Sequence, residues 1–525
     1  MAGFDILRLM GLEEIRDARI EKLKKLRKAG VNPYPAQSSR THTIGEAVGD
    51  FDKLAKEDKK LVLVGRVMAK REHGGSTFLD IEDGSSQCRD CSYVEPVPPS
   101  LRTKRQGQFR HGDAKIQLFF KKDSLGEKDY QFFLDTIDIS DFIEARGVLF
   151  KTKQSEKTLE VEKWGILTKS LLPLPEKWHG LQDVEEKYRK RYLDLLFNPE
   201  LKAKFVERTK IVEHIRQFLV ANGFMEVETP VLQTIPGGAN AKPFKTHLNT
   251  LDMDLYLRIA PELYLKRLLV AGFEKVFEIA RNFRNEGMDR EHNPEFTMLE
   301  FYAAYWDHEK LMSFLEEMLE HIVKGNFGKT KIRFQGKDID FKGPYKRIAF
   351  NDLFKKYSGL DYDKSSENNL KKKAEELGIT IERSMTKGNI GDEIYKKVAR
   401  PNILAPTFVV NHPLEISPLA KKLDDDPEHV ARFQLVVSGT EALNGFSELN
   451  DPVDQLERFE KQESIAKKLG NKEAHRMDGD FVEALEYGMP PAAGVGIGID
   501  RLVALLTDSH SIREVILFPL MKPRG

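Results

Sequence analysis

VFEIARNFRNEGMDREHNPEFTMLEFYAAY, residues 276–305, decides the fold. Two apolar runs flank a polar loop, the pattern of two strands and their connection. A strand period of two puts Glu278, Asn282 and Arg284 on one face of the first run, and Phe296, Glu300 and Tyr302 together on the second. Acids, an arginine and aromatics on a single sheet face are costly to bury without partners. That face is therefore expected to be wet or occupied.

Two further segments extend the pattern. In EALNGFSELND (441–451), alternation aligns Asn444, Phe446 and Glu448. In GVGIGID (494–500), alternating glycines strip one strand face of side chains, so a ligand can approach the backbone. Asp500 and Arg501 then open the apolar helix RLVALL. No phosphate loop of the GxxxxGK[ST] kind is present, and GVGIGID lacks the third glycine of the dinucleotide fingerprint. Three polar strand faces point to one shared active site. Helices are predicted over 200–222, with Phe205, Ile211, Ile215, Phe218 and Leu219 inward, and over 307–324. Asp307 is the N-cap of the second, and Leu311, Leu315, Met318 and Ile322 form its apolar stripe. The charged stretch 363–400 reads as a peripheral helical insert. The fold class of this region is α+β.

Upstream, LVLVGRVMAK (61–70), STFLDIED (76–83), KIQLFF (115–120), DFIEARGVLF (141–150) and KTLEVEKWGI (157–166) are short β-rich runs. They suggest a small barrel with an OB-fold as the leading candidate. Residues 88–114, rich in Pro, Gly and Arg, read as an inserted loop. LLPLPEKWHG (171–180) reads as a linker, because its prolines enforce extended backbone. The expected division is a helical segment over 1–58, a barrel domain over 59–172, a linker over 173–190 and the large domain over 191–525. Within the first, residues 12–30 form an amphipathic helix with Ile15, Ile20, Leu23 and Leu26 on one stripe, ended by Gly30.

The totals narrow the classes. Lys plus Arg and Asp plus Glu both number 83, so the net charge is zero, and any RNA contact must come from local basic faces. Two cysteines make no disulfide framework and suit a reducing, cytoplasmic setting. No apolar run reaches the length of about 18 residues that a membrane span needs. Cys88 and Cys91 form a CRDC pair that would need two more ligands, such as His73 and His111, to hold zinc. Two unlinked thiols are the simpler reading.

Three segments resemble the three motifs of the class II aminoacyl-tRNA synthetases. They are GFMEVETPVL (223–232), FRNEG…HNPEFTMLEFY (283–302) and GVGIGIDRLVALL (494–506). The words RYLDLL, GGANAKPF, APELYLKRLL, SPLAKK, NGFSELNDPVDQ and SIREVILFP are similar to the lysine-specific subgroup, in subclass IIb. The resemblance implies an antiparallel sheet with flanking helices preceded by an N-terminal OB domain. It also implies a lysine–tRNA ligase that uses ATP and Mg²⁺, binds tRNA(Lys) through that OB domain and works as a homodimer packed at Pro230.

Residue by residue, the resemblance implies that Arg284 touches both the α-phosphate and the amino-acid carboxylate, where its fork suits two oxygens. Glu286 and His292 would hold ATP, and Phe296 and Arg501 would stack on the two adenine faces. Gly238 and Glu262 would meet the α-amino group, and Asn444 the carboxylate. Tyr302, Phe446 and Glu448 would form the side-chain pocket, with Glu278 adding to its acidity. Magnesium would lie on Glu441, Gln434 and Glu448. The family has glutamate where this chain has Gln434, which removes a negative charge while keeping a carbonyl oxygen. A synthetase-like protein without catalysis is the competing reading that this departure allows. An aspartate or asparagine enzyme is disfavoured by the acids at Glu262 and Glu448. In the barrel, Phe78 would stack on an anticodon base, with Gln117, Glu156 and Arg66 at hydrogen-bonding positions.

Overall fold

The structure is a computed structural model, and it describes residues 11–86, 113–175, 183–239, 241–382, 385–468 and 477–523. The expected loop 88–114 falls almost wholly outside them, with Cys88, Cys91 and His111, as does part of the linker. The chain divides into two compact units, 1–203 and 204–525.

In the first unit, β1 (Leu61–His73), β2 (Ser76–Ser86), β3 (Asp113–Lys121), β4 (Phe142–Lys151) and β5 (Lys157–Thr168) close into a barrel of order β1-β2-β3-β5-β4. This is the five-stranded closure expected of an OB-fold. Leu63, Leu79, Ile81, Ile116, Leu118, Ile143 and Val161 fill it, each two residues from the next inward position on its strand. Helix α1 (Leu12–Lys28) buries Ile15, Leu23 and Leu26 as its periodicity requires, and Gly30 follows it with φ +78°. Arg19 is also buried on that face, where its guanidinium donates to Ser170 Oγ at 2.7 Å and to the Ile139 carbonyl at 3.1 Å. The segment before β1 is not a separate body. Leu26, Ile44, Ala47, Phe51 and Leu54 belong to the same apolar cluster as the barrel interior.

The second unit is built on an eight-stranded sheet. Its strands in chain order are β6 (Met225–Glu226), β7 (Lys275–Phe283), β8 (Glu295–Ala304), β9 (Lys346–Ala349), β10 (Thr407–Pro413), β11 (His429–Val437), β12 (Thr440–Ser447) and β13 (Ala492–Gly498). The spatial order is β9-β10-β11-β12-β13-β8-β7-β6, antiparallel except for the outer pairs β9–β10 and β6–β7. Helix α2 (His308–Phe327) covers one face. Asp307 caps it by accepting from Lys310 N at 2.8 Å, and Leu311, Leu315, Met318 and Ile322 lie in the core.

With that face closed by α2, the opposite face carries the polar positions of β7, β8 and β12 and the glycines of β13. The stretch 363–400 does form helices, over Glu367–Glu376 and Lys387–Ile394, but it is not merely peripheral. Its Leu370, Ile390, Ile394 and Tyr395 pack with Phe350 and Phe354 in a cluster of their own, and Asn389, Asp392 and Lys396 help to wall the cavity described next. High charge density had hidden an apolar stripe that only packing reveals.

Candidate functional site

A cavity of about 930 Å³ opens on the free face of the sheet, within the range usual for small-molecule sites. Its floor is β13. Register places Gly494 between Tyr302 of β8 and Phe446 of β12, and Gly496 between Glu300 and Asn444. A Cβ at Gly494 would lie 2.3 Å from the Tyr302 ring and 2.5 Å from Glu448 Oε1, so the glycine makes room for both. At Gly496 the first obstacle is the Met298 methyl, the end of a flexible side chain. Gly494→Ala is therefore expected to lower the melting temperature by several degrees, since overpacking typically costs about 1–3 kcal/mol, whereas Gly496→Ala should change it little; thermal unfolding of both variants beside wild type checks this.

One end of the cavity holds Arg284 and Arg501, with Glu286, Glu291 and Glu441 beside them. Arg284 follows β7, with its guanidinium 5.0 Å over the Phe296 ring, one weak contact to the Ile259 carbonyl at 3.5 Å, and a buried Nε with no partner. Burial holds its pKa below the usual arginine value. A guanidinium so placed needs an acceptor. Arg501, in the helix Ile499–Leu506, donates to the Glu291 carbonyl at 3.2 Å and lies 2.9 Å from His292 Nε2. It thereby ties the loop after β7 to the strand floor. His292 leans on Asp289 at 2.8 Å, and Glu286 accepts from Lys242 N at 3.3 Å. In this structure one face of Phe296 is taken by Arg284.

The other end is acidic. Glu262, Glu300 and Tyr302 line it. The Tyr302 hydroxyl donates to Glu300 Oε2 at 3.0 Å, and burial, reinforced by Glu262, pushes the Glu300 carboxyl up to about 8. Gly238, at φ +86°, abuts Glu262, since a Cβ there would lie 2.9 Å from the Glu262 Cβ. Asn444 Oδ1 accepts from Arg432 Nε at 2.8 Å, and Arg432 also reaches the Ile416 carbonyl at 2.9 Å.

Glu448 stands just behind the cavity wall, fully buried beside Gly494. Its Oε2 lies 2.5 Å from the ammonium of Lys266. Glu300 was placed on the polar face of its strand by alternation but was given no role, and Lys266 and Arg432 were not singled out in the sequence. Arg432 shares a strand face with Gln434, and Lys266 is one helical turn after Glu262.

Two expectations require correction. Glu278 is not part of the acidic wall. Its carboxylate is spent on Arg258 at 2.5 Å and on the Thr229 hydroxyl and amide at 2.7 and 3.2 Å, so it fastens the segment that leads to Pro230. Glu448 does not share a cation with Glu441. Seven residues separate them along β12 and its extension, roughly 23 Å at the usual rise of a strand, and Glu448 already faces Lys266.

Gln434 and Glu441 do meet across the β11–β12 pair. Gln434 Nε2 donates to Glu441 Oε2 at 2.9 Å, and Gln434 Oε1 is buried without a partner. Among the described residues, no group of three or more His, Cys, Asp or Glu is arranged to hold a metal alone. A magnesium ion needs fewer, since it takes one or two carboxylates plus substrate phosphates. The orphaned carbonyl oxygen beside Glu441 therefore fits such an ion.

On the barrel, Phe78 and Gln117 point outward. Phe78 stacks on Phe119 with ring centroids 4.5 Å apart, and Gln117 accepts from Thr158 Oγ1 at 3.1 Å. Phe119 belongs to the same outward strand positions and was missed. Arg66 lies over the Phe142 ring at 4.3 Å. Glu156 sits exposed in the turn between β4 and β5, with its amide bound to Thr152 Oγ1 at 3.1 Å.

Residues 183–522 match the family model described as tRNA synthetases class II (D, K and N). The chain belongs to that family. It is 49% identical over 516 residues to a lysine–tRNA ligase of Pelotomaculum thermopropionicum, covering 98% of this chain and 96% of the relative. It is 48% identical to the lysine–tRNA ligase of Carboxydothermus hydrogenoformans, covering 98% and 99%. For the enzyme of Moorella thermoacetica the identity is 45%, over 99% and 100% of the two chains. The match to these synthetases thus spans both the barrel and the sheet.

Proposed function

We propose that this protein is a lysine–tRNA ligase. It activates L-lysine with ATP and transfers the lysyl group to the 3′ end of tRNA(Lys). The observation that carries the reading is the polarity of one cavity: an arginine with an unsatisfied buried Nε at one end, and Glu262, Glu300 and Tyr302 at the other, with Glu448 immediately behind. Lysine carries a carboxylate and a distal ammonium, so it fits such a site in one orientation.

In the first step a carboxylate oxygen of lysine attacks the α-phosphorus, and the bond to the bridging oxygen of pyrophosphate breaks. Both reactants are anions, so Arg284 serves by drawing them together and by meeting the charge that develops between them. Phe296 and Arg501 hold the adenine, and Glu286 and His292 hold the rest of the nucleotide. Glu441 and Gln434 would hold Mg²⁺, which neutralises phosphate charge when bound. Gly238 and Glu262 receive the α-amino group, and Asn444, kept in place by Arg432, receives the carboxylate. Phe446, Tyr302 and Glu448 read the side chain. In the second step the terminal ribose hydroxyl of tRNA attacks the lysyl carbonyl and AMP leaves.

The outward face of the barrel, with Phe78, Gln117, Arg66 and Glu156, would read the anticodon by stacking and edge contacts. Pro230 is exposed, as are Met225, Val231 and Leu232. This apolar strip suits a second copy of the chain, as in a homodimer. Among the described residues no helix is long and apolar enough to cross a membrane. We place the protein in the cytoplasm, where its substrates are.

The test is ATP–pyrophosphate exchange with each of the twenty amino acids in parallel. Lysine alone should support rapid exchange. Exchange driven by aspartate or asparagine, or by none of the twenty, would reject the proposal.

A further inference from the structure

Lys266 is a fully buried lysine whose ammonium touches two acids of the amino-acid pocket. It lies 2.6 Å from Glu262 Oε1, one turn earlier on the helix Glu262–Val270, and 2.5 Å from Glu448 Oε2, just past the end of β12. The ammonium also sits 5.2 Å over the Phe446 ring and 6.0 Å over Phe481. Burial alone would lower its pKa, but Glu262 and Glu448 together outweigh it and the net shift is upward. The other Glu448 oxygen, Oε1, is buried beside the cavity-wall residue Gly494 and has no partner.

Two carboxylates thus share a single cation of the chain, and one oxygen of the pair is left over. An unpaired buried carboxylate oxygen is expensive unless something cationic or hydrogen-donating arrives. Two unpaired carboxylates in one dry pocket would repel each other and swing apart.

We propose that Lys266 is a positioning residue for amino-acid selection. By taking Glu262 Oε1 and Glu448 Oε2 it holds the two side chains in one geometry, and it leaves Glu448 Oε1 to the incoming side-chain ammonium. This rests on reading the cavity as a lysine site. Lys266 does not compete with the substrate, because each cation has its own oxygen. Its loss should therefore weaken lysine binding, although it removes a positive charge from a pocket meant for a cation.

The test compares wild type, Lys266→Met and Lys266→Ala in lysine-dependent pyrophosphate exchange. The wild-type assay against all twenty amino acids judges the site reading independently of the variants. Lys266→Met should raise the lysine KM at least tenfold, with kcat at saturating lysine and the ATP KM within about threefold. Lys266→Ala leaves a slot for the deleted Cγ–Nζ segment that ethylammonium, one methylene shorter, can enter, so millimolar ethylammonium should recover fivefold or more of its lysine KM while leaving wild type unchanged. A merely structural lysine would move the ATP KM as well and would not respond to the amine. An unchanged or lowered lysine KM in Lys266→Met overturns the proposal, as does a raised KM in Lys266→Ala that ethylammonium does not improve. If the alanine variant fails to fold, the methionine variant's lysine KM decides.

Discussion

Arg284→Ala is expected to lower kcat/KM for lysine-dependent exchange by about a thousandfold, near 4 kcal/mol of transition-state stabilisation. The magnitude follows from where the side chain stands. Its Nε is buried and unpartnered, its side-chain hydrogen bond to the Ile259 carbonyl is long at 3.5 Å, and its other contact is the face of the Phe296 ring. Little of its hydrogen-bonding capacity is spent on holding the fold. The capacity is available to the two anions that must meet, and it is most valuable as charge accumulates between them. The loss should appear mainly in kcat, with the melting temperature nearly unchanged. Arg284→Lys should recover little, because a point charge cannot span oxygens on two groups as a planar fork does. A variant that keeps wild-type kcat would remove Arg284 from the reaction.

Glu448→Gln is expected to raise the lysine KM about a hundredfold, while the ATP KM stays within about threefold. In wild type the carboxylate faces one cation, Lys266, and offers its free oxygen to a second. The amide carries no charge for either and turns an N–H toward one of them. Removing one partner from a buried charged pair costs about 3–5 kcal/mol, and each 1.4 kcal/mol is tenfold in affinity. ATP is expected to be spared because the residues proposed to hold it lie toward the opposite end of β8, about six residues from Tyr302. Titrating lysine at saturating ATP, and ATP at saturating lysine, separates the two constants. An unchanged lysine KM would show that this carboxylate does not read the side chain.

Much of the sheet was legible because its signals are local. Alternation in 276–305 and 441–451 set which side chains share a face, and the pairing of β7 with β8 and of β12 with β13 follows that alternation. Helix α2 was readable down to its Asp307 cap, since a cap and an apolar stripe are both matters of sequence spacing. The charged stretch 363–400 was less readable. Its apolar positions are sparse, and only the partners supplied by Phe350 and Phe354 turn them into a core.

By itself, then, the sequence determined the elements, the polar face and the types of group presented there, because each depends on neighbours two, three or four residues away. Tertiary structure alone decided which acids are free. Glu278 and Glu448 look alike in sequence. Yet one is consumed by Arg258 and Thr229, and the other keeps an oxygen to spare beside Lys266. That difference rests on side chains 20 to more than 180 residues distant in the chain, brought within hydrogen-bonding range by folding. No local pattern encodes it, because the energy of a buried charge depends on what surrounds it in space.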